Sequence, residues 1–330
     1  MNLMNPWKKL RFPLLAAALF AFVPGSPSPA EAATQPADAI VVDKNGTGAY
    51  KTVQAAINSI PDNSTTTRTI FIKNGTYNEK INIPSTKPNI TLLGESTLGT
   101  ILTYNDTAST AGSTTNSAST MVRANNFQAR DITFRNTAGP TAGQAVALYV
   151  SGDRAVFKNI RATGYQDTLY ATGTGRQYYY NSQIEGTVDF IFGSATAVFE
   201  NCEIRSLGSG YVTAASTDQS KKYGYVFLNS RLTKNGAGNQ TVYLGRPWRP
   251  YSAVTYINTA MDSHIRPEGW HNWGNTANEA TARYYEYGST GAGANPTARV
   301  SWAKTLTAGQ ANAITAKTVL AGSDGWDPTK

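Results

Sequence analysis

The chain has 330 residues, enough for one large domain, and no linker in it argues for two. It carries 29 Lys and Arg against 21 Asp and Glu, which gives a formal net charge of +8 at pH 7. The lone cysteine, Cys202, excludes an internal disulfide, and we expect it to be buried filler. The only two histidines, His264 and His271, give no support to a zinc site or to a Cys–His nucleophile pair.

The first 32 residues have the composition of a secretion signal. An apolar run at 12–23 is followed by several prolines, and Ala30-Glu31-Ala32 is a small-x-small cleavage site. The apolar run is too short to span a bilayer, which disfavours a membrane anchor. We therefore expect a signal peptide at 1–32, a single secreted domain at 33–330, and no membrane association. The basic residues before the apolar run are Lys8, Lys9 and Arg11.

The charge that remains without the signal indicates the kind of partner. The signal carries three basic residues and one acidic residue, so the rest of the chain keeps a net charge of +6. A basic protein favours polyanions. The sequence has no Lys/Arg-rich stripe, helix-turn-helix or zinc pattern, so we expect no nucleic-acid binding. Export favours an acidic extracellular polysaccharide instead.

Short strands and turns dominate the first third of the chain. The run IVVD at 40–43 predicts a strand, and TVQAAINSI at 52–60 has the apolar spacing of a short helix that Pro61 stops. Such a helix is suited to cap the open edge of the first strand. The Ser/Thr-rich segment 105–120 predicts a surface loop. Further strands are predicted at 69–73, 80–83 and 90–94.

An aromatic-x-Asn pattern recurs in the middle of the chain, each time in a short strand-like run. Successive asparagines are separated by 23, 22, 20 and 28 residues. Repeats of this length predict an all-β stacked solenoid, in which each repeat adds one coil and the asparagine lies at one bend. The five fragments are Phe134-Arg-Asn136, Phe157-Lys-Asn159, Tyr179-Tyr-Asn181, Phe199-Glu-Asn201 and Phe227-Leu-Asn229.

Two aspartates in apolar and aromatic surroundings, Asp167 and Asp189, are 22 residues apart and so match the repeat. In a solenoid, residues one period apart lie on neighbouring strands about 4.8 Å apart. Gln144 and Gln166 share this spacing, so we expect the four side chains to form one polar column. The acids serve either chemistry or the hydrogen bonding of buried amides. The glutamines suit either an oxyanion site or an internal amide ladder.

The last third of the chain continues the strands and ends in a helical pattern. A strand at 241–244 leads into Gly-Arg-Pro-Trp, where Pro247 ends the ladder and leaves Arg246 and Trp248 at its mouth. Residues 306–319 have helical spacing, and we expect them to fold back as a lid or a brace.

Five motifs in this order resemble the pectin methylesterase (pectinesterase) family, and the resemblance covers nearly all of the chain after the signal. It implies a right-handed parallel β-helix with a short N-terminal capping helix and a C-terminal helical stretch, in agreement with the repeats. It also implies a secreted enzyme, which we assign to the bacterial type and expect to be a monomer. The motifs are GTYNE at 75–79, QAVAL at 144–148, GYQDTLY at 164–170, GTVDFIFG at 186–193 and LGRPW at 244–248.

The resemblance also implies roles for the polar column. Asp189 would be the nucleophile, and Asp167 the acid and then the base. Gln144 and Gln166 would donate hydrogen bonds to an oxyanion, and Arg246 would hold the nucleophile ionised. One departure lies near the groove, since many plant members have arginine after QAVAL where this chain has Tyr149. The residues expected to contact substrate are Thr115, Gln144, Tyr170, Phe192, Arg246 and Trp248.

The implied reaction is hydrolysis of the C6 methyl esters of homogalacturonan to pectate and methanol, with methyl-esterified pectin as partner and no metal or organic cofactor. Three alternatives use the same features. A retaining glycoside hydrolase also needs two carboxyls about 5 Å apart. A calcium-dependent polysaccharide lyase needs several converging carboxylates. A non-catalytic solenoid would bind polysaccharide through its aromatic residues without needing the two aspartates.

Overall fold

The computed structural model describes residues 32–330, so the expected signal peptide lies outside the described residues except for its last position. Strands in the first half of the described chain are β1 (Ile40–Val42), β2 (Arg68–Ile72), β3 (Gly75–Asn78), β4 (Ile81–Ile83), β5 (Ile90–Gly94), β6 (Thr100–Tyr104), β7 (Thr120–Val122), β8 (Gln128–Arg130), β9 (Thr133–Asn136), β10 (Leu148–Val150), β11 (Ala155–Lys158), β12 (Arg161–Thr163) and β13 (Leu169–Ala171).

Strands in the second half are β14 (Arg176–Tyr180), β15 (Gln183–Gly186), β16 (Ile191–Gly193), β17 (Thr196–Glu200), β18 (Glu203–Ser206), β19 (Gly210–Ala215), β20 (Tyr225–Leu228), β21 (Arg231–Lys234), β22 (Val242–Pro247), β23 (Ala253–Ile257), β24 (Ala260–Met261), β25 (Arg283–Tyr287) and β26 (Lys304–Thr305). The helices are α1 (Val53–Ser59), α2 (Ala108–Ala111), α3 (Ala277–Thr281), α4 (Ala308–Asn312) and α5 (Ala316–Leu320). A 3₁₀ turn spans Thr115–Ser117.

The strands form three sheets, of 11, 8 and 7 strands, in which neighbouring strands run parallel. Each full coil gives one strand to each sheet, as β8, β9 and β10 do, and the next coil begins at β11. Parallel strands connected in this way cross over with a right hand. The predicted right-handed parallel β-helix is therefore confirmed, and its apolar core fills the interior of the coils.

The aromatic-x-Asn pattern has a physical basis in the 11-stranded sheet. Inward-facing rings stack from coil to coil with centroids 4.5 to 4.8 Å apart, and each pair contributes about 0.5–1.5 kcal/mol beyond its burial. Two residues later the chain bends at asparagines with φ between 47° and 55°, a left-handed conformation that asparagine tolerates. The rings are Phe157, Tyr179, Phe199, Phe227 and Tyr256, and the bends are Asn159, Asn181, Asn201, Asn229 and Asn258.

The prediction was wrong for one fragment, Phe134-Arg-Asn136. This fragment forms β9 of the 8-stranded sheet. The corresponding bend of the 11-stranded sheet falls at Asp131 (φ 57°), because Arg130 pairs with Lys158 just before it. Strands of both sheets carry inward aromatic residues, so the pattern alone does not tell which sheet a fragment joins. The pattern also continues to Tyr256-Ile-Asn258, which the sequence analysis did not include.

The predicted N-terminal capping helix is present as α1. Thr52 caps it, with its hydroxyl oxygen accepting from the Ala55 amide (3.3 Å). The Glu79 carboxylate accepts from the amides of Val53 (2.8 Å) and Gln54 (3.0 Å). The last residue of the GTYNE motif therefore has a structural role, because it satisfies two free amides at the positive end of the helix dipole.

The C-terminal stretch forms two short helices, α4 and α5, where the sequence predicted helical spacing throughout 306–319. They pack on the 11-stranded sheet, and Leu320 is fully buried there. The Arg176 guanidinium anchors the end of α5 by donating to the Leu320 carbonyl oxygen (3.1 Å) and to the Asp324 carboxylate (2.5 Å). This segment is thus a brace on one sheet.

Cys202 is fully buried, as expected, and burial raises the pKa of its thiol to about 12. In residues 32–330 there is no helix with the length and apolar character needed to cross a bilayer.

We predict that Glu79→Ala lowers the free energy of unfolding by about 1–2 kcal/mol, because two helix amides lose their acceptor. Glu79→Gln should lose less, since its amide oxygen still accepts one hydrogen bond. Urea denaturation followed by circular dichroism measures both. An unchanged midpoint for Glu79→Ala would contradict the capping role.

Candidate active site

Asp167 and Asp189 occupy neighbouring turns that lead into the 7-stranded sheet. Strands β13 and β16 pair with Leu169 opposite Ile191, which places the two aspartates opposite each other two residues earlier. The Asp167 amide donates to the Val188 carbonyl oxygen (3.0 Å), which continues the same register through the turns. The two acids are therefore stacked at the 22-residue spacing that the sequence indicated.

Local interactions hold these turns in an unusual conformation. Both aspartates have positive φ, 67° and 51°, which aspartate adopts more readily than most residues. The Thr168 hydroxyl locks the first turn by donating to the carbonyl oxygens of Glu185 (2.9 Å) and Tyr165 (3.2 Å). Gly186 begins the second turn, and any side chain there would collide with Phe190 and with the Tyr165 carbonyl.

Gln144 joins the column through an irregularity at the start of β10. Strands β10 and β13 pair with a 21-residue step, which alone would leave Gln144 one residue out of line with Gln166. The amides of Ala147 and Leu148 both donate to the Thr168 carbonyl oxygen (2.9 and 3.2 Å), so one residue is taken up as a bulge. The backbone amide of Ala145, the residue after Gln144, then donates to the Gln166 carbonyl oxygen (3.2 Å). The two glutamines are thereby brought into line.

The side-chain amides of Gln144 and Gln166 line the same cleft as the two acids. Within the described part of the chain, neither amide hydrogen-bonds to another protein group, so no internal amide ladder forms between them. Both amides are therefore free to donate to a ligand that enters the cleft.

The Ser/Thr-rich segment 105–120 is more ordered than predicted, since it contains α2 and the 3₁₀ turn. The buried Asn136 amide ties it down by donating to the carbonyl oxygens of Asp106 (2.8 Å) and Val146 (3.1 Å). The Ala108 amide donates to the Gln144 carbonyl oxygen (2.8 Å). This segment therefore fixes the backbone of a cleft residue.

Arg246 on β22 distinguishes the two carboxyl groups. Its guanidinium donates from Nε to Oδ1 of Asp189 (2.9 Å) and from Nη2 to Oδ2 (2.7 Å), a bidentate contact. The Asp167 carboxyl group has no hydrogen-bond partner among residues 32–330, and only 7% of the residue is exposed. The neighbours of the two acids are thus very different.

Burial and the neighbouring charge of Asp189 raise the pKa of Asp167 to about 8, although Arg246 opposes the shift. Burial also raises the pKa of Asp189 above its ordinary value, but the hydrogen bonds and charge of Arg246 limit that rise. Asp189 therefore loses its proton before Asp167 does. Near neutral pH the site holds one carboxylate and one carboxylic acid.

Two aromatic rings hold the Arg246 guanidinium between them. Its Cζ lies 3.8 Å from the ring centroid of Tyr211 and 3.8 Å from that of Trp273. The Trp273 backbone has a positive φ of 65°, and its amide donates to Nδ1 of His271 (3.0 Å). The sandwich fixes the plane from which Arg246 reaches Asp189.

Sequence reasoning missed both rings. Tyr211 follows Asp189 by 22 residues, and β16 pairs with β19 at that same step, so the repeat carried a usable signal. Trp273 lies in an irregular turn after Trp270 and has no periodic signal. Trp270 itself is buried in the core.

The acids lie at the base of an open cleft of about 430 Å³ on the outer face of the 7-stranded sheet. Its floor includes the stacked rings of Tyr170 and Phe192, with centroids 4.1 Å apart. Trp248 stands at its edge, 6.0 Å from Phe192, and Thr115 lines it from the ordered loop. All six residues expected to contact substrate line this cleft: Thr115, Gln144, Tyr170, Phe192, Arg246 and Trp248.

An ionised carboxylate, a neutral carboxylic acid and two free amide donors in one cleft can together perform nucleophilic acyl chemistry. Fold and site thus define a class: parallel β-helix proteins with a paired-aspartate hydrolytic site. No group of three or more His, Cys, Asp and Glu side chains in residues 32–330 is arranged to hold a metal ion.

The sequence profile of the Pectinesterase family matches residues 39–323, and the chain belongs to that family. It is 42% identical to Pectinesterase 31 of Arabidopsis thaliana over 276 residues, which cover 80% of this chain and 86% of the relative. Other plant relatives are longer. One of them is pectinesterase/pectinesterase inhibitor 18 of Arabidopsis thaliana, to which this chain is 40% identical. The matched region covers 80% of this chain and 49% of that relative.

Comparison with solved structures gives the same family. The pectin methylesterase from carrot superposes with a TM-score of 0.83 at 35% identity, covering 88% of this chain and 96% of the carrot chain. A pectin methylesterase in complex with hexasaccharide VII gives a TM-score of 0.77 at 33% identity, covering 90% and 100% of the two chains.

The electrostatics of Asp167 predict a pH-dependent gain in stability for Asp167→Asn. The pKa of Asp167 in the folded protein, about 8, exceeds the ordinary value of 3.8. The protonated Asp167 carboxyl group therefore contributes its full stabilisation below pH 3.8, and this stabilisation is lost as the pH rises through 8. The free energy of unfolding of Asp167→Asn should equal that of the wild type near pH 4 and should be about 2–4 kcal/mol higher at pH 8.

Urea denaturation at both pH values tests this, with Asp38→Asn as a control because Asp38 is an exposed carboxyl outside the cleft. A constant difference between wild type and Asp167→Asn across the pH range would contradict a perturbed acid at this position.

Proposed function

We propose that this chain is a secreted pectin methylesterase that hydrolyses the C6 methyl esters of homogalacturonan to pectate and methanol. The observation that supports this proposal most directly is that the two carboxyl groups of the cleft have different neighbours and different protonation states. Arg246 binds Asp189 in a bidentate contact, while burial keeps Asp167 protonated at neutral pH. The two acids therefore start the reaction in different states, as an ester hydrolysis with a covalent intermediate requires.

In the first half of the reaction, a carboxylate oxygen of Asp189 attacks the ester carbonyl carbon. The carbonyl oxygen becomes an oxyanion, to which the amides of Gln144 and Gln166 donate, each contributing about 3 kcal/mol to transition-state stabilisation. Collapse of the tetrahedral intermediate breaks the bond to methoxide, which takes the proton of Asp167 and leaves as methanol. An acyl-enzyme anhydride on Asp189 remains.

In the second half, Asp167 is a carboxylate and acts as the base. It removes a proton from water, whose oxygen attacks the acyl carbon of the anhydride. The bond to Asp189 breaks, and the galacturonate leaves as a free acid that ionises in solution. Asp167 recovers its proton and Asp189 its ion pair with Arg246, so the cycle closes without a cofactor.

The free glutamine amides favour ester hydrolysis over glycosidase chemistry. A retaining glycosidase also uses two carboxyls, but its transition state is an oxocarbenium ion, which carries positive charge and gains nothing from N–H donors aimed at an oxyanion. Gln144 and Gln166 both line the cleft beside the acids. Their donors match the negative charge that forms during acyl transfer.

Pectin as substrate draws support from family membership and from the hexasaccharide complex of a structural neighbour. Secretion after removal of residues 1–32, a single domain at 33–330 and a monomeric state rest on the sequence analysis. The bacterial assignment rests on the sequence resemblance alone, since the named curated relatives are plant proteins. We expect no nucleic acid or membrane partner.

The first test is methanol release from highly methylated pectin by the wild type and by Asp189→Asn, with reducing ends and unsaturated products followed in parallel. We expect methanol without chain cleavage, and a fall of about 10⁴-fold or more in the variant. Asp131→Asn is the matched control, because Asp131 has a similar backbone conformation (φ 57°) at the bend after β8, outside the cleft. Chain cleavage without methanol would assign the acids to glycosidase or lyase chemistry, and pectin binding without turnover would leave a binding solenoid.

The sandwich around Arg246 predicts a shifted pH profile for Trp273→Leu. A freer guanidinium holds Asp189 less well, so the pKa of Asp189 rises and the acidic limb of kcat moves to higher pH, while kcat on the plateau falls. Trp326→Leu is the control, since Trp326 packs 5.4 Å from the Arg176 guanidinium outside the cleft. A change in KM with an unmoved acidic limb would assign Trp273 to substrate contact alone.

A further inference from the structure

One histidine, His271, contacts both halves of the aromatic sandwich around Arg246. Its imidazole packs against the ring of Tyr211, with centroids 5.6 Å apart, and against that of Tyr243, at 5.3 Å. Its Nδ1 accepts a hydrogen bond from the backbone amide of Trp273 (3.0 Å). His271 does not itself line the catalytic cleft. Any effect that it has on the reaction therefore passes through the residues it contacts.

The turn that carries Trp273 is strained and depends on local hydrogen bonds. Trp273 has a φ of 65°, a left-handed conformation that a bulky aromatic residue adopts only where its surroundings enforce it. The residue is 36% exposed, so packing in the core does not hold its ring. The His271 amide donates to the Gly245 carbonyl oxygen (3.1 Å), which ties the start of the turn to β22. The bond to Nδ1 then fixes the turn so that the Trp273 ring lies on the Arg246 guanidinium.

The surroundings of His271 favour the neutral imidazole that this hydrogen bond requires. Nδ1 accepts only when it carries no proton. Partial burial and the positive charges of Arg246 and Arg266 lower the pKa of His271 from its ordinary value of 6.5. At neutral pH the ring is therefore an uncharged acceptor. The titratable and charged groups around it are Tyr211, Tyr243, Arg246, Arg266 and, through its pairing with Arg266 (3.5 Å), Glu268.

We propose that His271 is a positioning residue for the ester hydrolysis, which holds the Trp273 ring on Arg246 and thereby holds the guanidinium against Asp189. The inference rests on the proposed function. The atom that acts is Nδ1, as the acceptor of the Trp273 amide. Loss of this acceptor loosens the turn, frees one face of the guanidinium and weakens its bidentate contact with Asp189. The pKa of Asp189 then rises, and less of the protein holds an ionised Asp189 at a given pH.

Two substitutions at His271 separate the acceptor from the ring. In His271→Asn the side-chain oxygen accepts from the amide two residues later, as in an Asx turn, but the ring is lost. In His271→Phe the ring stays beside Tyr211 and Tyr243, but the acceptor is lost. For each protein we would measure kcat and KM for methanol release from highly methylated pectin as a function of pH. The pKa of Asp189 is measured separately from carboxyl carbon NMR signals, assigned with Asp189→Asn, so this readout does not depend on turnover.

His271→Phe should lower kcat on the plateau about two- to tenfold, the range of one hydrogen bond, and should move the acidic limb of kcat to higher pH. The pKa of Asp189 should rise in this variant, while KM stays close to the wild-type value. His271→Asn should recover most of kcat and return the pKa of Asp189 to the wild-type value. Adding His271→Phe to Trp273→Leu should have no further effect, because the two residues act through the same contact.

Asn275→Ala is the matched control. The Asn275 side-chain oxygen also accepts from the amide two residues later, that of Ala277 (3.1 Å), in the same loop but beyond Trp273. This variant should match the wild type in kcat, in KM and in the pKa of Asp189. A rise in the pKa of Asp189 as large as that of His271→Phe would overturn the proposal, because it would report a general loosening of the loop.

The order of the two His271 variants also decides the matter. If His271→Phe matched the wild type and His271→Asn were impaired, or if both were impaired equally, the ring rather than Nδ1 would matter and the proposal would be wrong. An unchanged pKa of Asp189 in His271→Phe would overturn it even if kcat fell. If no protein released methanol but the pKa of Asp189 rose in His271→Phe and not in His271→Asn, the proposed function would fail and the positioning of Arg246 by His271 would stand.

Discussion

The parallel pairing of β13 with β16 places two buried carboxyl groups side by side, and the rest of the site depends on that contact. Two carboxylates in so little water cannot both ionise at neutral pH. The ladder itself does not say which acid keeps its proton, because the same turn geometry presents both. That asymmetry comes from Arg246, two coils further along the solenoid, which reaches only Asp189. Asp167 and Asp189 are therefore chemically different only because their neighbours differ.

The asymmetry is only as firm as the position of Arg246. A guanidinium on a long side chain has many rotamers, and ordering it costs conformational entropy. Here the rings of Tyr211 and Trp273 lie on its two faces and restrict it to one plane, in which both donors meet Asp189. The aromatic contacts thus act on the Asp189 carboxylate without touching it.

Periodicity predicted the solenoid and the stacking of the two acids, because in parallel strands a constant repeat length translates directly into register. It also predicted the asparagine bends, whose Asn159 and Asn181 side chains hydrogen-bond from coil to coil (2.7 Å). It was wrong for Asn136, which belongs to a different sheet from the asparagines it resembles. The 22-residue spacing of Gln144 and Gln166 matches the fold only because a bulge absorbs one residue. Trp273 lies outside any repeat, so its role depends on tertiary contacts that spacing does not record.

Side chains alternate between the two faces of each strand, so the residues that stabilise the coil are different from those that line its ligand groove. In β13, Leu169 faces the core and is fully buried, while the next residue, Tyr170, faces the cleft. Successive coils repeat this arrangement, so a stack of core side chains and a row of surface side chains run along the same backbone. Exchanging a residue in the surface row changes what the groove binds without opening a cavity in the core. A substitution in this row therefore alters the lining of the groove at little cost to the fold.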